Sequence, residues 1–558
     1  MSELLRRRFL QVSGRRVHLW TGGDGPAVIL IHGSPGNAWL VLPLARRLCR
    51  HFTVYAVDTP GFGASDALPG ERLSVAHLAD AYRDILDAIG LTAAAVYGTH
   101  SGAAIGLELA RRHPSRVSGF VLEGVPAFTV EEQEPLLAPE YLIPFDPDLL
   151  GGHYSRAWTR FHDQFLWFPW YRRDPGHLNE GDAGSAADIH LWVEMSFQAS
   201  RHDYRPAYRA VIAYGGGALA AAREVTTPGV YLAESSDMLF GHLDRLPPPG
   251  AGQRIERVMS PDAVAPAVEA ALRSLPGAAA GAKLPASPTG ARQSFCDLPG
   301  GEIFVRSAGA GERRPVLLLH DAPGAGHSLE DLCWALSAFG PVILPDLPGC
   351  GESDPLGSDV PDLAAVADAV AALLAGRRCG PVNVYAAGFG AAVALELNAR
   401  RPDLVHGLAL CGVLRVGATE RRAMLGRLAP PIALADDGSH WYRTWLMLRD
   451  SLVHWPWYGR SPATLRRQPL AFDPLRLHAW TCEVMRQWSS YHHLINAVLG
   501  WDPAPAIEAA RGKLTVAIDP LHALAAADTA WAAAGLPAMA LPADPADRAR
   551  SLNQGWPA

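Results

Sequence analysis

The stretch Val96-Tyr97-Gly98-Thr99-His100-Ser101-Gly102-Ala103 decides the fold. An apolar run closes at Gly98, three residues follow, and Gly102 opens the helix-prone Ala103-Ala104-Ile105-Gly106-Leu107-Glu108-Leu109-Ala110. That order reads as strand, very tight turn, helix, with small residues flanking the one side chain that stands above the strand end. Counted from Gly98 to Gly102, the residue at the tip is His100, and His is among the non-glycine residues enriched at positive φ. A second register, with Thr99 and Ala103 as the flanks, puts Ser101 at the tip. It requires the strand to run past Gly98, so strand length favours His100.

Working outward, the same chain order occurs twice. Val28 to Ile31 runs into His32-Gly33-Ser34-Pro35-Gly36, and Val54 to Val57 runs into Asp58-Thr59-Pro60-Gly61-Phe62-Gly63-Ala64-Ser65-Asp66. Later, His320-Asp321-Ala322-Pro323-Gly324 follows Leu317 to Leu319, Asp346-Leu347-Pro348-Gly349-Cys350-Gly351-Glu352-Ser353-Asp354 repeats the second loop, and Ala387-Gly388-Phe389-Gly390 repeats the turn. His32 and His320, Asp58 and Asp346, and His100 and Gly388 are each separated by 288 positions, a constant spacing that marks a duplication. Arg8 to Val12 and Arg16 to Trp20 alternate about Ser13-Gly14 and predict a hairpin, and Val75 to Ile89 predicts a helix. Strands alternating with helices imply an α/β architecture, a mostly parallel sheet with helices on both faces.

These loops resemble the α/β-hydrolase superfamily, and each half looks like one full copy. The H-G-x-P-G and D-x-P-G-x-G-x-S-D loops are most similar to those of capped members such as haloalkane dehalogenases and epoxide hydrolases. The resemblance implies a first module over 1–275 with a helical cap at about 127–222. It implies a second over 293–558 with a cap at about 414–508. Pro276 to Arg292, rich in Ala, Gly and Pro, reads as a linker exposed to proteolysis. The cap stretches share His153-Tyr154-Ser155-Arg156-Ala157-Trp158 with His440-Trp441-Tyr442-Arg443-Thr444-Trp445, and a further pair around Phe168-Pro169-Trp170 and Trp455-Pro456-Trp457. Aromatic residues from Tyr154 to Tyr171 either glue cap to core or wall an apolar pocket.

By the same resemblance, the backbone N–H groups of Ser34 and Ser101 are the oxyanion donors, and His32 shapes their loop. Asp237, after Val230 to Ala233, and Glu123, after Phe120 to Leu122, are the two places for an acid that orients an imidazole; each could equally be a solvated loop charge. The superfamily's base His should follow the last strand of each module, yet Met259-Ser260-Pro261-Asp262 and Pro542-Ala543-Asp544-Pro545 contain none. An ordinary Ser-His-Asp hydrolase is thereby excluded unless His242, His522 or a cap His fills the gap. His100 is left as nucleophile or general base. Set against this is a degenerate turn in which His100 only fills space. His32, Trp158 and His153 are candidate substrate contacts, although the repetition of His153 as His440, and of His190 as His478, also fits shared cap packing. In the second half Gly388 has no side chain to react, Cys411 stands where Glu123 does, and Asp519 keeps the acid position, so that half is expected to be inactive. Its G-F-G-A-A-V string is discounted as a dinucleotide site because Val393 replaces the last small residue.

Composition narrows the function classes. A net charge of -7 spread over 558 residues, with 19% charged and 49% hydrophobic residues, leaves no basic stripe for nucleic acid. Seven scattered Cys without a C-x-x-C pair imply reduced thiols and no zinc frame, and no signal or membrane span is legible, which places the protein in the cytoplasm. No metal or cofactor motif is present, and His492-His493 has no partner at metal-ligand spacing. The expectation is a hydrolase of a small hydrophobic, ester-like molecule acting through His100, with the two modules able to pair within the chain. The alternatives are a pseudoenzyme that binds a ligand, or a cofactor-free lyase or cyclase on the same fold.

Overall fold

A computed structural model describes residues 5–70, 72–179, 183–200, 203–277, 279–285, 292–357, 362–466 and 472–556. Contacts divide the chain into a first unit, Met1–Asp146 with Ser155–Pro285, and a second unit, Pro147–Tyr154 with Ala286–Ala558. The first carries β1 (Arg6–Val12), β2 (Arg15–Gly22), β3 (Ala27–Ile31), β4 (Thr53–Val57), β5 (Ala94–Thr99), β6 (Val117–Glu123), β7 (Gly229–Glu234) and β8 (Gln253–Val258). Their spatial order is β1-β2-β4-β3-β5-β6-β7-β8, and only β2 runs against the rest.

The second unit repeats this with β9 (Gln293–Leu298), β10 (Gly301–Ala308), β11 (Val316–Leu319), β12 (Val342–Pro345), β13 (Val382–Ala387), β14 (Val405–Cys411), β15 (Leu514–Ile518) and β16 (Ala538–Ala540). Read from β9, its order is β9-β10-β12-β11-β13-β14-β15-β16, the same topology strand for strand. The duplication seen in the loops is therefore a duplication of the whole sheet.

The central strands are largely apolar, β3 throughout, because both faces are covered. In the first unit Ile29, Ile31, Val57, Val96 and Leu122 pack on one face with the helices Val75–Ile89 and Ser101–Arg112. Their neighbours Val28, Leu30, Val54, Tyr97 and Val121 pack on the other with the helices Leu42–Leu48 and Pro261–Ser274. This period-two division fixes the register, since a slip of one residue would exchange the two faces. The hairpin turn falls at Ser13 (φ 50°) and Gly14 (φ 79°), as the alternation about Ser-Gly requires.

Among the described residues four α-helices, Val130–Leu137, Gly152–Leu166, Ala186–Ser200 and Arg205–Glu224, are inserted between β6 and β7, and five, from Ala418–Met424 to Ala504–Ala510, lie between β14 and β15. The reading of 276–292 as a free linker needs correcting. Ala279 O accepts from Ala27 N–H at 3.0 Å, Gly281 N–H donates to Gly25 O at 2.8 Å, and the Tyr55 hydroxyl donates to Ala282 O at 2.5 Å. Small residues let this extended segment, bridged at Pro26 and Ala280, lie close against the start of β3 and β4, so 279–285 belongs to the first unit; residues 286–291 lie outside the described residues. Among the described residues no helix is long and apolar enough to cross a membrane.

Candidate active site

The carboxyl ends of β3, β5, β6 and β7 converge, the usual place for a site in an open parallel sheet. β5 continues one residue beyond Gly98, to Thr99, and His100 then takes φ 51° and ψ -109° before the helix begins at Ser101. Gly388 has nearly the same backbone, φ 54° and ψ -123°. The turn is tight enough that a Cβ on Gly98 would lie 2.2 Å from Gly102 O, and one on Gly102 would lie 2.1 Å from Ile31 O. Only glycine fits either flank, and His100 is the residue held in the strained conformation.

His100 Nε2 is 2.8 Å from Asp237 Oδ2, and the imidazole is 44% exposed. Asp237 is aimed by its own loop, its Oδ1 accepting the Leu239 N–H at 2.8 Å. Burial alone would lower the pKa of His100, but attraction to Asp237, the hydrogen bond between them and the charge of Glu123 outweigh it and raise it to about 9. Asp237 moves the opposite way: burial pushes its pKa up, His100 pulls it further down, and the net is below the usual carboxylate range. Glu123 is not the partner of His100. It accepts a 2.5 Å hydrogen bond from the Tyr97 hydroxyl, and burial raises its pKa. The space is closed behind the pair by Gly124, where a Cβ would come within 2.6 Å of His100 Cδ2 and 3.0 Å of Asp237 Oδ2.

The loop expected to donate to an oxyanion has an internal partner: Ser34 N–H donates to Ser101 Oγ at 3.2 Å, so any other oxygen seated on that amide would displace the hydroxyl. The amides of Ser101 and Gly102, first in their helix, have no intrahelical acceptor, which is the general condition of helix N-termini.

A cavity of about 410 Å³ opens on Ser34, His100, Ser101 and Ser236, with Phe128, Tyr141, Phe161, Phe165, Trp192 and Tyr208 among its apolar walls. Three expected contacts lie elsewhere. Trp158 is buried one helical turn before Phe161 and does not reach the cavity. His153 falls in the segment that groups with the second unit, where its Nδ1 accepts the Asp148 N–H at 3.2 Å and its Nε2 is 3.1 Å from His478 Nδ1. Its repeat His440 accepts the Ala435 N–H at 3.1 Å, so both copies use this His to clamp the loop that precedes a helix. His32 is a clamp as well. Its Nε2 accepts the Thr59 N–H at 3.0 Å and its Nδ1–H donates to Gly33 O at 2.9 Å, a neutral tautomer whose pKa burial lowers. His320 repeats this on Leu347 and Asp321. His242, the spare imidazole of the first unit, stacks edge-on to Phe128 and stays near Glu132, outside the cavity walls.

In the second unit the site is filled. Asp321, at the position of Gly33, accepts the N–H groups of Ala322 and Phe389 on Oδ1, both at 2.8 Å. A Cβ on Gly388 would lie 1.8 Å from that oxygen. Beside Gly388 only about 20 Å³ is open, while a separate cavity of about 420 Å³ opens on Asp321, Pro323, Trp480 and Glu483. Asp519 is bound to Arg548 at 2.8 Å. Sequence reasoning passed over Asp321, although Gly33 against Asp321 is the one charge change inside the repeated first loop. Nearby, Cys411, His522 and Asp528 bring their ligand atoms within 4.8 Å. However, Asp528 already accepts the Gly412 and Val413 amides and His522 Nδ1 accepts the Leu524 N–H, so they form a structural network.

Comparison with known proteins fits this architecture. A family model described as alpha/beta hydrolase fold matches residues 26–152, and one described as alpha/beta hydrolase family matches residues 316–548. The chain belongs to the α/β-hydrolase superfamily and carries two of its folds in tandem. An uncharacterized hydrolase of Bacillus subtilis is 38% identical over 111 residues, 19% of this chain and 40% of that protein. A fluoroacetate dehalogenase of Burkholderia is 28% identical over 230 residues, 36% of this chain and 74% of that protein. The structure of epoxide hydrolase A from Mycobacterium thermoresistibile matches 49% of this chain and all of its own, at 21% identity and a TM-score of 0.36. The matched stretch thus spans less than half of the Bacillus relative.

Proposed function

We propose that the first unit hydrolyses a small, largely apolar ester-like substrate, with His100 as its acid–base group and Asp237 as the residue that orients it. The observation that carries this is the 2.8 Å His100–Asp237 hydrogen bond at the tip of the turn, on the wall of a cavity of about 410 Å³. Asp237 engages Nε2, which leaves Nδ1 for water. The neutral ring takes a proton from water as the oxygen attacks the ester carbonyl, the oxyanion forms against the Ser34 and Ser101 amides, and the imidazolium returns the proton to the departing alkoxide. The products are an acid and an alcohol. The second unit takes no part, because Gly388 has no side chain and Asp321 occupies the amides.

A pKa of about 9 means that the base form accumulates only as pH rises, so kcat/KM should climb between pH 7 and 9. A chromogenic ester screen of the full chain tests the reading. His100→Ala should lose on the order of 10² to 10⁴ in rate, and Ser101→Ala should retain most of it. Loss in Ser101→Ala with His100→Ala unaffected would move the tip to Ser101. The same pKa favours a second reading, a ligand-holding site without turnover, since at pH 7 the ring is a cation. Absence of turnover with any ester, amide, epoxide or haloalkane decides for it.

A further inference from the structure

We infer that the first unit's site binds a carboxylate, seated on the Ser34 and Ser101 amides beside His100, with an aromatic or branched apolar tail in the cavity. The inference goes beyond the hydrolase reading and does not depend on turnover, although a carboxylate is also what ester hydrolysis would leave behind.

The second copy supplies the observation. Ala322 and Phe389 stand 288 positions after Ser34 and Ser101, and their N–H groups both donate at 2.8 Å to one oxygen of Asp321. The other oxygen lies 3.6 Å from His522 Nε2. This amide pair on this fold therefore holds a carboxylate, with an imidazole near its second oxygen. Charge-assisted hydrogen bonds to backbone N–H groups are roughly twice as strong as neutral ones, which suits a carboxylate better than a hydroxyl.

The first copy lacks the internal carboxylate and keeps the rest. Gly33 replaces Asp321, and the Ser34 amide falls back on Ser101 Oγ at 3.2 Å, a neutral acceptor. Where the second unit has Gly388, the first has an imidazole. Asp237 is neutralised by that imidazole and Glu123 is engaged by Tyr97, so neither carboxylate competes for the amides. The first unit's cavity of about 410 Å³ opens directly on His100, Ser34 and Ser101. In the second unit only about 20 Å³ is open beside Gly388, and a separate cavity of about 420 Å³ opens on Asp321, so the room for a ligand beside the turn is particular to the first copy. Phe161, Phe165, Trp192 and Tyr208 make that room apolar.

Gly33 gives a direct test, because a Cβ there meets nothing closer than 3.6 Å. Gly33→Asp should place a carboxylate on the first unit's own amides, as in the second unit, while Gly33→Ala adds only the Cβ. Calorimetry on the full chain would compare 4-phenylbutyrate with 4-phenylbutanamide, with thermal unfolding to show that each variant is folded. The acid should bind at least tenfold more tightly than the amide. Gly33→Asp should weaken the acid at least tenfold, and Gly33→Ala should stay within about twofold of the parent. Equal binding of acid and amide, parent-like binding of the acid by Gly33→Asp, or no acid binding at millimolar concentration would overturn the inference. Ester turnover measured on the same samples separates the two claims: turnover without acid binding leaves the hydrolase reading standing, and acid binding without turnover leaves this one.

Discussion

Replacing Asp237 by Asn removes the charge that holds the proton on His100 while keeping the shape and the Oδ1 acceptor for Leu239 N–H. With the carboxylate gone, burial is the dominant influence left on the ring, and burial lowers an imidazole pKa. The midpoint of His100 should fall from about 9 to 6.5 or below. A rise from 6.5 to about 9 on folding favours the folded chain, fully below pH 6.5, progressively less as pH rises from there to about 9, and not above it. For a fully buried ring such a rise would correspond to ~3 kcal/mol. The imidazole is 44% exposed, and solvent screening reduces this to ~1 kcal/mol. Because two units need not unfold as one, the direct assay is NMR titration of 13C-labelled histidine, with His100→Gln to assign the resonance. A parent midpoint near 6.5, or the same midpoint in parent and Asp237→Asn, would refute the pairing.

Two further substitutions test the reading of the repeats. Gly388→Ala puts a Cβ 1.8 Å from Asp321 Oδ1 at a φ of 54°, so it should destabilise the second unit by about 2 kcal/mol or more; adding Asp321→Gly should recover at least about 1 kcal/mol, a non-additivity readable by thermal unfolding of the four variants. His32→Ala strands the Thr59 N–H and frees Gly33 O in a buried loop, so chemical denaturation should show a loss of about 2 to 4 kcal/mol, matched by His320→Ala in the second unit.

The architecture was legible because its signals are local and repeated. An apolar run ending at Gly98, two obligatory small flanks and a 288-residue spacing each follow from backbone sterics, and each survives translation into coordinates. The backbone at His100 follows from the same two glycine flanks and not from strand length, since β5 runs past Gly98 to Thr99. The choice of Asp237 over Glu123 was not, because it depends on how the loop after β7 folds back to present Oδ2, and on Tyr97 engaging Glu123 first. Trp158, His153 and His32 misled because aromatic and imidazole side chains serve packing and loop clamping as well as ligands, and only the direction of each side chain separates those uses. Asp321 was visible as a letter, but its consequence required the position of two amides contributed by different loops.

The segment 279–285 has a consequence for how the protein is made. Gly25, Ala27 and Tyr55 find their partners at Gly281, Ala279 and Ala282, the last pair 227 residues apart. At a synthesis rate of about 5 to 20 residues per second, these groups of the first sheet wait on the order of ten to fifty seconds for the segment that pairs with them. A gene fragment stopped at codon 275 would never deliver that segment, leaving the Ala27 N–H and Gly25 O without their partners at the start of β3. One stopped at codon 285 delivers all three partners before the second copy begins to emerge.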